Sequence, residues 1–295
     1  MKKTKLFMDT VVDIQVVARE RDAMKEAEAR IDRAFEAFRQ VEQACSRFSP
    51  DSELMIACRQ VGTRVPVSPL LFEPLKLALE MAKRTNGIFD PTVGKTMEAL
   101  GFNRHYLTGQ TVESPSDGPV TYRDVVINER EQTIYLHKPM VIDLGAVAKG
   151  FAIDLAAHEL KSFEGFLVNA GGDLYAGGSD EQGKPWKIGI RHPVRKDQII
   201  FEIDISDRAI CTSGSYERPS DKIPGMHHII DPGTQSSPRR WISCSVIATY
   251  AMMADVFSTA AFVMDAAGGE ALIEEAELQG IFIASDMQIV RMGGI

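Results

Sequence analysis

Asp255 and Thr259 stand four residues apart in an apolar run, Ala254-Asp255-Val256-Phe257-Ser258-Thr259-Ala260-Ala261-Phe262. If the run is helical, carboxylate and hydroxyl fall on one face a turn apart. Oxygen ligands of this kind suit a hard cation such as Mg²⁺, completed by substrate phosphates and a backbone carbonyl, for which the Gly145-Ala146 turn is a natural source. A solvated Asp and a Thr bonded to its own helix give the same spacing. The apolar neighbours weigh against that reading, because a buried Asp without a partner is costly and a metal is one good partner.

Two glycine-rich turns offer a second kind of chemistry. Val141-Ile142-Asp143-Leu144-Gly145 reads as a short strand ending in a carboxylate and a turn, after which Ala148, Ala152, Leu155 and Ala156 recur at helical spacing with Lys149 in the first turn. Backbone N–H groups at such a helix start can receive an anion, and Lys149 adds a point charge. Val168-Asn169-Ala170-Gly171-Gly172-Asp173 is a second such turn, again ending in a carboxylate. One turn alone is ordinary punctuation; the pair, with Lys149 and Asp173, points to a phosphate-bearing ligand. Thr212 and Ser213 can bind phosphate or simply end a strand. His228, shortly before the Asp231-Pro232 turn, can act as a general base near neutral pH or be a structural histidine, with His227 the lesser candidate. No GxSxG, HExxH, Walker or GxGxxG pattern occurs.

The elements that must hold these groups read as follows. Alternation over 7–17 gives a half-buried strand, and Ile31, Phe35, Phe38, Val41 and Cys45 stripe a helix over 22–45 capped by Asp22. A polar turn covers 46–54; Ser68-Pro69 opens a helix ending at Asn86-Gly87; Phe89 to Gly94 is a rigid turn carrying Asp90. Residues 103–120 form a surface loop, and 125–128 with 133–137 a hairpin. Strands follow at 166–169, 186–191, 199–205, 209–216 and 243–249, then helices at 251–264 and 270–277, and a closing hairpin of 281–284 with 288–291. Strands and helices without steady βαβ alternation predict an α+β fold, with mixed sheets and packed helices in one intertwined unit.

With 295 residues, 44% hydrophobic and 25% charged, the chain is long enough for a full core. A net charge of −8 with no long Lys/Arg run argues against nucleic acid. Cys45, Cys58, Cys211 and Cys244 lack metal-ligand or CxxC spacing. No stretch reaches the ~18 apolar residues of a membrane span. The chain as written reads as soluble and cytoplasmic, or periplasmic if an export signal has been removed.

Taken in order, Met8-Asp9-Thr10, Ser46-Arg47-Phe48 with Ser52-Glu53-Leu54, Phe89 to Gly94, Ile142 to Phe151, Asn169 to Asp173, Thr212 to Tyr216, His228 to Pro232, and Ala254-Asp255 with Thr259 resemble the FAD:protein FMN transferases, the ApbE-like proteins. The resemblance covers nearly the whole chain. It implies an ApbE-like, T-fold-related architecture and a Mg²⁺-dependent enzyme that splits FAD, attaches FMN to a Thr or Ser of a target flavoprotein and releases AMP. It further implies Mg²⁺ on Asp255, Thr259 and the Ala146 carbonyl. Met8, Phe48, Phe89, Asp90, Asp143 and Lys149 would then line the FAD site, together with Gly171, Gly172, Asp173, Thr212 and Ser213, and His228 would assist the acceptor hydroxyl. A metal-dependent FAD pyrophosphatase and a non-catalytic FAD carrier are the alternatives.

Overall fold

The computed structural model describes residues 1–18, 21–105, 108–113, 115, 118–195 and 197–295. The chain opens with a hairpin, β1 (Lys2–Phe7) and β2 (Thr10–Val16), reversing at Met8 and Asp9, both at positive φ. That turn splits the strand expected over 7–17, because two consecutive left-handed residues match the twist of a tight hairpin. Val12, Ile14 and Val16 keep their common buried face.

Next come α1 (Arg21–Cys45), α2 (Glu53–Cys58), β3 (Val65–Pro66), α3 (Pro69–Arg84) and α4 (Gly94–Ala99). Glu53 and Leu54, expected in a turn, start α2, because the Ser52 hydroxyl accepts from Met55 N–H at 3.1 Å and caps it. Ser68 precedes Pro69 as expected, but its hydroxyl donates to Glu53 at 2.6 Å instead of capping α3. Asp22 lies inside the first turn of α1, and the residue before Arg21 falls outside the described residues.

The hairpin β4 (Val125–Asn128) and β5 (Thr133–Leu136) pairs with β3. After it, 139–144 is extended but joins no ladder; Asp143 N–H donates to the Pro91 carbonyl at 2.8 Å. Val141 and Ile142 are both buried and β-branched, and that combination reads as a strand.

The remaining elements are α5 (Ala148–Leu160), β6 (Gly165–Ala170), β7 (Asp173–Gly178), β8 (Trp186–Arg191), β9 (Ile199–Ile205), β10 (Arg208–Gly214), β11 (Trp241–Ala248), α6 (Ala251–Val263), α7 (Ala266–Glu275), β12 (Gln279–Ala284) and β13 (Ile289–Met292). An eight-stranded sheet runs β1-β2-β6-β7-β10-β11-β12-β13. The α+β class holds, but the sheets expected to be mixed are antiparallel in every described pairing. Neighbours joined by tight turns must run so, and the two successive helices between β11 and β12 return the chain to the same end.

Alternation sends β10 two ways: Ala209 and Cys211 join the core beneath α5 and α6, whereas Ile210 faces a second cluster with Trp186, Ile190 and Ile205 of β8 and β9. The sheet is thus covered by helices on one face and by a hairpin on the other. Among the described residues no helix is long and apolar enough to cross a membrane.

Candidate functional site

Helices α5 and α6 cross at Gly150, where a Cβ would lie 2.4 Å from the Ala251 carbonyl oxygen. Neither helix has a capping side chain at its own N-cap, which is Val147 for α5 and Tyr250 for α6. Each is capped by the other. Asp154 of α5 accepts from Ala251 N–H at 2.7 Å and Met252 N–H at 2.9 Å, and Asp255 of α6 accepts from Gly150 N–H at 3.1 Å. These N–H groups have no intrahelical acceptor, so a carboxylate there satisfies both hydrogen bonding and the helix dipole.

The crossing gathers the charged and hydroxyl groups singled out in the sequence. Lys149 pairs with Asp173, whose other oxygen accepts from Thr212 N–H at 2.7 Å. The Ser213 hydroxyl lies 2.8 Å from Thr259 Oγ1 and 2.9 Å from Ser258 Oγ, and Thr212 Oγ1 lies 2.8 Å from Ser245 Oγ. Burial opposes the Lys149 charge, but Asp173 and Asp255 outweigh it and hold its pKa above the ordinary lysine range. Burial, then the Asp173 charge, pushes the Asp255 carboxyl up, against the pull of Lys149. Burial raises Asp154 to about 6. Replacing Lys149 with Met leaves Asp173 and Asp255 without their cation. Allowing for its 26% exposure, the expected cost at pH 7 is about 2–3 kcal/mol. The loss should shrink toward pH 5 as the Asp255 carboxyl, whose pKa is raised, takes up its proton, which urea unfolding at the two pH values measures.

This surplus of carboxylate over ammonium fits a cation. Gly150 N–H, the donor four residues beyond the Ala146 carbonyl, is spent on Asp255, so the helix does not consume that carbonyl. Among the described residues no three His, Cys, Asp or Glu side chains converge into a metal cage. One carboxylate, a hydroxyl and a carbonyl, completed by phosphate oxygens, is a donor set of the kind Mg²⁺ takes in nucleotide sites.

A second group of residues borders the first through the β1–β2 turn. Gly171 N–H donates to the Val11 carbonyl at 3.1 Å, and its missing side chain makes room for Thr10, whose Oγ1 would lie 2.3 Å from a Cβ. Gly172 N–H donates to Asn169 at 3.0 Å. Met8 N–H donates to Glu42 at 2.9 Å, and Asp9 lies 3.3 Å from His105, which meets Phe48 edge-on. The Arg47 guanidinium stacks on Phe48 at 4.2 Å and pairs with Asp143 at 2.5 Å, and Asp143 also accepts from Gly145 N–H at 2.8 Å. Asp143 thus shapes the turn that delivers Ala146 and Lys149.

Phe89 and Asp90 are not brought to this surface. Phe89 is in the core, and Asp90 spends its carboxylate on Thr92 N–H and hydroxyl and on Tyr122 N–H. They act indirectly, by fixing the turn whose Pro91 carbonyl holds Asp143.

His227 and His228 lie in a loop, not on a strand. His227 is structural: its Nε2 donates to the Pro238 carbonyl at 2.9 Å, its N–H to Ser237 at 2.8 Å, and its ring meets Phe262 of α6 edge-on. The His228 Nδ1 is buried without a hydrogen-bond partner. Burial, then the charges of Arg218, His227 and Lys149, lower its pKa to about 3.

A model of the ApbE family matches residues 8–282. The chain belongs to the ApbE family. It is 30% identical to the FAD:protein FMN transferase of Klebsiella pneumoniae, over 82% of this chain and 73% of that protein. It is 29% identical to that of Treponema pallidum, over 99% of this chain and 87% of that one. Among solved structures it is similar to the ApbE protein of Thermotoga maritima, with a TM-score of 0.86, 29% identity and coverage of 99% and 96% of the two chains. The flavin transferase ApbE of Vibrio cholerae superimposes with a TM-score of 0.82 at 25% identity and the same coverage. The chain is an enzyme of the transferase class, as these ApbE relatives are named.

Sequence reasoning assigned no role to Arg47, Glu42, Ser258 or Asp154. For Asp154 a signal was available: it interrupts the buried run Ala152, Ile153, Ala156 and Ala157 as Asp255 interrupts its own helix.

Proposed function

We propose that this chain is a Mg²⁺-dependent FAD:protein FMN transferase whose acceptor is a Thr or Ser hydroxyl of a target flavoprotein. The observation that carries the reading is the buried surplus of carboxylate at the α5–α6 crossing, where Asp255 and Asp173 face one Lys149 beside the Thr259 and Ser213 hydroxyls. In the reaction the acceptor oxygen bonds to the phosphorus of the FMN half of FAD. The P–O bond to the AMP half breaks, AMP leaves with the bridging oxygen, and the acceptor proton is released.

Asp255, Thr259 and the Ala146 carbonyl would hold the ion, which when bound neutralises charge gathering on the pyrophosphate oxygens. Gly150 fixes one oxygen of Asp255 and leaves the other available. Lys149, held by Asp173, supplies a fixed positive charge beside the phosphates, and the Gly171-Gly172 turn lets backbone come close to them. Phe48 and Met8 offer an aromatic face and a thioether to a flat ring.

His228 is neutral at pH 7, so its free Nδ1 accepts the acceptor hydroxyl's hydrogen bond as the proton departs. Replacing it with Ala should slow transfer roughly 10²–10⁴-fold while FAD affinity changes little. With a pKa near 3, its protonation should take nothing from the rate between pH 8 and 5. Equal transfer rates in the His228→Ala and unmodified enzymes would overturn this role; an acid limb that disappears in the variant would keep the role and overturn only the low pKa.

The function itself is tested by mass spectrometry of acceptor domains incubated with the protein, FAD and Mg²⁺, with AMP followed in the same tube. An FMN-sized gain on the acceptor together with AMP supports the transferase. AMP and free FMN without any modified acceptor would replace it with a pyrophosphatase, and intact bound FAD with a carrier.

A further inference from the structure

The two carboxylate links between α5 and α6 are spaced one turn apart on both helices, Gly150 and Asp154 on α5, Ala251/Met252 and Asp255 on α6. Two attachments a turn apart fix a helix against both sliding and rotation. With the Asp255 link alone, the first turn of α6 would lose its hydrogen bonds to α5 while the rest of the helix stayed packed on β10 and β11. A slip of a single residue along α6 would move it 1.5 Å and turn it by about 100°, which no Mg²⁺ ligand set with its ~2.1 Å octahedral demands tolerates. Tyr250 supplies no cap of its own, so Asp154 is the group that ties down the start of α6.

We propose that Asp154 is a positioning residue for the cation site: by holding Ala251 and Met252 it sets where Asp255 and Thr259 stand relative to the Ala146 carbonyl at the entrance of α5. Asp154 touches neither FAD nor the reacting atoms. Its effect passes through the placement of α6. The inference rests on the cation site named under the proposed function, which it extends to a residue outside that donor set.

The test measures Mn²⁺ binding to the full-length protein by the loss of the free-ion EPR signal, with FAD affinity in EDTA read by flavin fluorescence. Asp154→Asn keeps one acceptor but turns an amide N–H toward Met252 N–H. Asp154→Glu keeps the charge and moves the carboxylate by one methylene. Mn²⁺ affinity should fall about tenfold in Asp154→Asn and at least ~3-fold in Asp154→Glu, in the range for groups that orient metal ligands, with FAD affinity in EDTA held within about twofold.

Wild-type Mn²⁺ affinity in either folded variant overturns the inference while leaving the cation site standing; for Asp154→Glu it would show that charge, not placement, is what counts. Equal losses of Mn²⁺ and FAD affinity overturn it as general damage. Absence of Mn²⁺ binding in the unmodified protein removes the cation site itself, and the inference with it. If Asp154→Asn does not fold, Asp154→Glu decides alone.

Discussion

Asp255→Asn is expected to abolish Mg²⁺-dependent turnover and yet leave the protein as stable as before, or more so. The amide oxygen can still accept from Gly150 N–H, so the cap on α5 survives. What disappears is a buried negative charge that Asp173 repels and that burial holds above its ordinary pKa. A carboxyl with a raised folded pKa binds its proton more tightly in the native state than in the unfolded chain. It therefore subtracts stability progressively as pH rises above the ordinary Asp range. The neutral variant should lose that slope and gain on the order of 1 kcal/mol at pH 7. Turnover should drop ~10³-fold or more, since polarising the phosphoryl oxygens supplies several kcal/mol. Thermal unfolding across pH 5–8, with AMP release at saturating and limiting Mg²⁺, measures both halves. Full activity at limiting Mg²⁺ sinks the metal assignment; a lowered midpoint sinks the view that this carboxylate is held at a cost.

Gly150→Ala should do the opposite and damage fold and site together. Its Cβ would sit 2.4 Å from the Ala251 carbonyl oxygen and 2.6 Å from Met252 Cα, both backbone of α6, so no side chain can swing away. The helices must separate, which strains the Asp154 and Asp255 links in one step. A loss of roughly 2–4 kcal/mol follows from overpacking and the weakened caps, against which the better helix propensity of Ala returns about 1. Gly172→Ala is the control: open space surrounds that position and only its φ of +103° resists a side chain, so about 1–2 kcal/mol is expected. Denaturant unfolding of the two variants separates them, and equal losses would show that the helix crossing is not tightly packed.

The most legible helices and strands are those that hide one face. The stripe of Phe35, Phe38 and Val41 marks α1, and alternation marks β2 through Val12, Ile14 and Val16. Illegible elements lacked such a period. β1 is an edge strand of lysines with exposed side chains, β7 is a Gly- and Ala-rich strand buried on both faces, and the buried connector around Val141 imitates a strand.

For the site, Asp255, Lys149 and Asp173 stood out because charge in an apolar or glycine-rich setting needs a reason. Their partners did not, since nothing local links Asp154 to Ala251 or Arg47 to Asp143 across 97 and 96 intervening steps of chain. Phe89 and Asp90 carry the residue types of ligand contacts, and nothing local in the sequence shows that they also hold the turn through the core and through Thr92 and Tyr122.

The pairing of β2 with β6 fixes the order in which the molecule can assemble during synthesis. The first hairpin and α1 pack on each other, and α1 also packs on α3, but α5 over α1 and β6 beside β2 arrive only once residues 148–170 have left the ribosome. At about 5–20 residues per second that is a wait of roughly 10–30 s, during which the face of α1 that α5 will cover is open to water and to other chains. Nascent chains stopped before β6 should therefore be caught by chaperones or aggregate.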